Sequence, residues 1–219
     1  MRKYLKALIS ILIIPCVFCS CSGVHYNSGE EKIGFSVTQT LMTENEDKLT
    51  TSIVFVENGM AETVFNFNMT SQYPLGIFDK INNSVFFIQN DDKGNDQFYL
   101  YTIDNKEVSQ LTDSLYAVNN IFPTQNGAFL CAVDDYYVSP FYYDSNSDRI
   151  IKCINDDKFN AYAAAYCHEK NMLLVSGFDG DEDYAKTEKY NESETPVPYS
   201  VKNTVYLVSA DSKKKVAHG

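Results

Sequence analysis

Between residues 51 and 217 the chain alternates short apolar runs with polar breaks rich in Asn, Asp and Gly, and the runs are of two kinds. The first kind alternates strictly. Residues 97–103 (QFYLYTI) are followed by a tight Asp104-Asn105 break and a second run at 107–111, the pattern of a β-hairpin with one face buried. The same pattern recurs at 51–56 and 62–68 about Asn58-Gly59, at 140–143 and 149–154 about Ser145-Asn146-Ser147, and at 204–209 and 214–217 about Ala210-Asp211-Ser212. Asn-Gly between alternating runs is a strong short-range hairpin signal, because a type I′ turn needs positive φ at both central residues. The second kind is more continuously apolar: 84–89 (SVFFIQ), 128–133 (AFLCAV) and 172–176 (MLLVS), each preceded by a shorter run at 75–78, 119–122 or 161–167. Continuous apolar character suits a strand covered on both faces.

Together these predict a unit of strand, turn, apolar strand, polar loop, alternating strand, turn and edge strand. Its repeat length, roughly 40–50 residues, is that of a four-stranded propeller blade. The expected fold is all-β: a β-propeller-like array of four-stranded antiparallel blades, with three full units and a leading hairpin. A β-sandwich built from the same strands as meanders is the alternative. Residues 34–41 read as a further strand and 44–48 as a charged turn. The Ala-rich stretch 160–170 has helix propensity, but it occupies a strand position in the repeat and is read as strand. Residues 179–200 form an insertion. Its tail carries Pro196 and Pro198, which favour extended backbone, and no structure of its own is expected there. The repeat pattern resembles the blades of bacterial extracytoplasmic propellers, the TolB-like and related irregular-repeat families. That resemblance implies a β-propeller domain over 33–219.

The first two dozen residues follow a different logic. Arg2, Lys3 and Lys6 precede the apolar stretch 8–18, which has signal-peptide length and is short for a membrane span. Ser20-Cys21 then resembles the lipobox of bacterial lipoproteins, a small residue before the lipidated Cys, with Phe18 where Leu is usual. The resemblance implies a signal over 1–20, lipidation (palmitate among the acyl chains) at Cys21, a flexible tether over 21–32, and a place on the extracytoplasmic face of a bacterial membrane. Two acyl chains suffice for stable anchoring.

Composition agrees with a β-rich, acidic domain: 16 Tyr, 14 Phe and no Trp, with a formal net charge of −11. A nucleic-acid partner is excluded as a class, since phosphate binding needs clustered Lys and Arg. Beyond Cys21, only Cys131, Cys153 and Cys167 remain. One bridge with one free thiol is an open pairing, but their apolar surroundings favour buried small hydrophobes. No Cys-x-x-Cys spacing after Cys21 suggests zinc.

Candidate chemistry concentrates in three acidic loops at one phase of the repeat, after the second strand of each unit. These loops supply Asp91, Asp92 and Asp96; Asp134 and Asp135; and Asp179, Asp181 and Asp183. In a propeller such loops share one face, where hard oxygen ligands suit Ca²⁺, although Asp and Asn are also ordinary turn residues. Aromatic clusters at Tyr136-Tyr137, 98–101 and 141–143 offer platforms for sugar or peptide, or simply pack between sheets. No nucleophile elbow or phosphate loop is present, and no catalytic residue is assigned. The expected role is a lipid-anchored binding or scaffolding protein whose loop face meets a protein, peptide or glycan. A glycan-active hydrolase using acidic loop residues and a cation-binding sensor are the alternatives. Self-association through exposed sheet faces is a further expectation for an open array.

Overall fold

The computed structural model describes residues 34–42, 49–210 and 213–218. The segments expected to be signal and tether, Cys21, the expected charged turn at 44–48, and Asp211-Ser212 of the last expected turn lie outside the described residues. The described chain forms four antiparallel sheets, each made of strands consecutive in sequence. The first holds β1 (Gly34–Met42), β2 (Leu49–Glu57) and β3 (Met60–Asn68). The second holds β4 (Gly76–Asp79), β5 (Ser84–Asn90), β6 (Asp96–Thr102) and β7 (Glu107–Gln110). The third holds β8 (Ala117–Thr124), β9 (Gly127–Val133), β10 (Val138–Asp144) and β11 (Arg149–Lys152). The fourth holds β12 (Phe159–Cys167), β13 (Met172–Asp179), β14 (Thr204–Val208) and β15 (Lys213–His218), with helix α1 (Gly180–Asn191) between β13 and β14. Four successive sheets of this kind are the blade array that the repeat predicts, and the sandwich alternative is set aside.

Each second strand is buried from both sides, as its continuous apolar run requires. In β5, Val85 and Phe87 pack towards the first sheet, against Ile53, Phe65 and Phe67. Phe86 and Ile88 point the other way and meet Val118, Ile121, Leu130 and Tyr143 of the third sheet. In β9, Ala128, Leu130 and Ala132 face the second sheet. Phe129 and Cys131 face the fourth, against Leu173, Val175 and Phe159. Period-2 alternation thus splits one strand between two cores. Rings do much of the filling: Phe86 and Phe98 stack at 5.3 Å, and Phe65 and Tyr101 at 4.1 Å. The end sheets keep one face outward, with Phe35 on β1 and Tyr162 and Leu174 on β12 and β13 exposed.

The Ala-rich β12 is strand, held to β13 from Phe159↔Asp179 to Cys167↔Met172 with a bulge after Ala161. The insertion departs from expectation, because its first half is the helix α1. Asp179 is its N-cap, accepting the Glu182 N–H at 3.0 Å. Asp181, Glu182 and Asp183 lie in the first turn, where the helix dipole favours negative charge, and Lys186 pairs with Glu182 at 2.6 Å. The prolines act only beyond the helix end.

Candidate ligand-binding rim

Antiparallel neighbours send successive connections to opposite ends of a sheet. In the four-stranded sheets the second-to-third connections and the sheet-to-sheet crossovers share one end; the first-to-second and third-to-fourth turns share the other. The first sheet fits the same scheme with β1 in second-strand phase. β1 runs opposite to β4, with Thr38 Oγ donating to Gly76 O at 3.0 Å and Phe78 N–H to Ser36 Oγ at 3.1 Å. The molecule therefore has a turn rim and a loop rim, and all eight acidic candidates belong to the loop rim.

Asp91 opens the β5–β6 loop and builds it. Its carboxylate accepts the N–H groups of Lys93 and Asn95, both at 2.9 Å, and Gln97 Nε2 at 3.2 Å. These bonds, the one from Asn95 above all, hold it below the usual carboxylate range. Asp96 is half-buried and accepts from Asn90 Nδ2 at 3.0 Å, with Ser71 and the Val118 N–H as further donors. Burial outweighs those bonds and pushes its carboxyl up. Asp134 is ion-paired with Lys152 at 2.9 Å. Asp179 caps α1. Asp181 binds Lys158 Nζ and the Tyr137 hydroxyl, each at 2.8 Å, and the hydrogen bond from Lys158 leads in holding it low. Asp183 faces the Tyr199 hydroxyl at 3.4 Å. Asp92 and Asp135 are exposed, with no hydrogen bond or ion pair among the described residues.

The structure thus brings together the second and third acidic loops through Tyr137 and Asp181. A side chain at Gly180 would collide with the Tyr137 ring, its Cβ falling 2.4 Å from Cε1. Asp91 and Asp96 belong to a different step of the array. Among the described residues no group of three or more His, Cys, Asp or Glu is placed to hold one metal ion.

Sequence reasoning missed Gln97. Its side chain is fully buried and fully bonded: Nε2 donates to Leu115 O at 2.8 Å, and Oε1 accepts from Thr112 Oγ at 2.9 Å and Leu115 N–H at 3.3 Å. It locks the crossover from the second sheet to the third. A polar residue on the buried phase of β6 was the available signal. Of the aromatic clusters, Phe98 and 141–143 are core, while Tyr136 is exposed. The three cysteines are free thiols. Burial pushes the thiols of Cys131 and Cys153 up to about 12, so neither is an activated nucleophile.

Fold comparison agrees with the geometry. The chain matches the β-propeller domain of the Trilobed protease from Pyrococcus furiosus, itself described as having an open velcro topology, with a TM-score of 0.52 at 8% identity over 87% of this chain. It also matches a putative TolB from Agrobacterium tumefaciens with a TM-score of 0.54 at 7% identity over 84%. At these identities the likeness defines a fold, the β-propeller. The chain spans 55% and 61% of those two proteins. No known family model and no curated protein matches it in sequence.

Proposed function

We propose that this chain is a lipid-anchored binding or scaffolding protein of the extracytoplasmic membrane face, held by Cys21 and presenting its loop rim to a protein, peptide or glycan. The carrying observation is the asymmetry of the array. Among the described residues, the longest connections and the exposed carboxylates Asp92, Asp113 and Asp135, which have no hydrogen bond or ion pair, stand on one rim, while the other is closed by tight turns and carries one such carboxylate, Glu169. Loops on a rigid β scaffold are where recognition residues concentrate. The lipobox-like Ser20-Cys21 supports the anchor, and the outward faces bearing Phe35 and Leu174 support self-association as a secondary partner mode.

Two measurements test this reading. Metabolic labelling with a fatty acid in a bacterial host should mark the full-length protein and not Cys21→Ala, which should leave the membrane fraction; equal labelling of both sinks the anchor. Screening the full-length protein on peptide and glycan arrays should yield ligands whose binding is lost on substituting loop-rim residues and kept on substituting turn-rim residues. Equal sensitivity of the two rims sinks the binding face.

A further inference from the structure

Exposed tyrosines divide sharply between the rims. Tyr73, Tyr116 and Tyr136 are 75%, 55% and 82% exposed, and all three stand on loop-rim connections. The described turn-rim connections contain no Tyr, Phe or Trp. One such tyrosine falls at each step of the array: Tyr73 on the crossover from first to second sheet, Tyr116 on that from second to third, Tyr136 in the β9–β10 loop beside the fourth.

Their backbones are fixed. Tyr116 donates its N–H to Val133 O at 2.7 Å and accepts Asp96 N–H at 3.2 Å. Tyr73 N–H is held by Ser71 Oγ at 3.1 Å. Tyr136 precedes Tyr137, whose hydroxyl is tied to Asp181. Each is accompanied by an exposed carboxylate with no hydrogen bond or ion pair among the described residues. Asp113 shares the connection of Tyr116, and Asp135 adjoins Tyr136. Asp92 lies in the loop flanked by Asn90 and Asp96, which are bonded to Thr70 and Ser71 on the crossover of Tyr73. Acidic residues outnumber basic ones in every charged described connection of this rim, whereas Lys80, Lys106 and Lys170 balance Asp104, Asp148 and Glu169 on the other.

We infer that the loop rim is a docking strip for an extended cationic peptide segment, with each Tyr–Asp pair taking one Lys or Arg. An ammonium or guanidinium over a tyrosine ring and beside a carboxylate gains both cation–π and charge-assisted contact. Tyrosine side chains are effective interface anchors, because with two χ angles little entropy is lost on binding. Sheets stack about 10 Å apart, and a peptide in the extended polyproline II conformation advances about 3.1 Å per residue with three residues per turn, so every third side chain faces the rim and meets the next pair. The assignment rests on the loop-rim binding reading and names its partner.

The test is fluorescence anisotropy of a short labelled peptide, Lys at every third position among glycines, against full-length protein in mild detergent. Binding should be saturable and weaken with salt. The triple variant Tyr73→Ala, Tyr116→Ala, Tyr136→Ala keeps every charge and should lose roughly tenfold in affinity. The triple variant Asp92→Asn, Asp113→Asn, Asp135→Asn should also weaken binding and flatten its salt dependence, while Glu169→Gln on the turn rim should change little. All of these positions are exposed, and circular dichroism melts confirm folding. Absence of binding at low salt, or tyrosine variants that bind like wild type, overturns the inference, the latter by revealing mere charge adsorption. A neutral oligosaccharide that binds through the rim while the cationic peptide does not also overturns it, but leaves the broader loop-rim reading standing.

Discussion

The two rims of this array are made by different physics. On the turn rim backbone conformation decides most, with the Asp79 and Asp144 carboxylates holding two of the turns. Among the described residues, all five non-glycine residues with positive φ, Asn58, Asn83, Lys106, Asp148 and Asn171, close turns there, joined by Gly59 and Gly127, while Gly94 alone has positive φ on the loop rim. On the loop rim the work falls to side chains: Asp91 folds its own loop, Gln97 locks a crossover, and Asp179 starts a helix. Backbone-defined turns leave little to vary without disturbing strand register. Side chain-built loops can change length and chemistry while the strands stay put, and the rim that varies is the one that can acquire a ligand.

The sharpest way to break this contrast is Gly127→Ala. Gly127 sits at φ +138, and a Cβ there would fall 1.9 Å from Tyr143 O. A loss of about 3 kcal/mol or more is expected in urea unfolding; a near-neutral result would show that the turn rim is not backbone-limited. Next comes Asp79→Ala. Asp79 is buried beneath the β4–β5 turn and accepts Ile81 N–H at 3.0 Å and Asn82 Nδ2 at 2.7 Å, so stranding those donors should cost about 2 kcal/mol.

That second variant has a pH signature. Desolvation raises the folded-state pKa of Asp79 above 3.8, so the fold holds this proton more tightly than the unfolded chain. The group adds stability as pH falls through its raised pKa and loses it as pH rises again. The deficit of Asp79→Ala should therefore be larger near pH 4 than at pH 7; a flat difference removes the claim.

On the loop rim Asp179→Ala should cost about 1 kcal/mol, confined to α1. Hydrogen exchange should quicken over 180–191 while the global melt hardly moves, and an equal shift of both would erase the distinction between the rims. Smallest is Lys158→Ala. With Lys158 gone, the Asp181 carboxyl, now held below 3.8, should titrate at higher pH by NMR.

Much of the fold was legible because period-2 patterning is written by burial. Phe86 and Phe87 point into different cores, and their adjacency is what marks β5 as covered on both faces. Asn58-Gly59 marked its turn because few other pairs tolerate that backbone. The helix α1 was obscured by Pro196 and Pro198 further along, although Asp179 and Glu182 already formed a capping pair ahead of it. The candidate rim was legible in its phase but not in its contacts. The sequence distinguishes Asp91 from Asp92 in no way, yet one is consumed by its own loop and the other faces solvent, a difference set by where Asn95 and Gln97 fold back.

The three apolar clusters carry one more consequence. Each joins only a pair of successive sheets, Ile53 to Phe87, Phe86 to Leu130, Phe129 to Leu173. Stability in such a stack is a chain of nearest-neighbour couplings, as in a one-dimensional lattice. The interior sheets, coupled on both sides, should melt last, and a stretched molecule should come apart from its ends in discrete steps, one sheet per step.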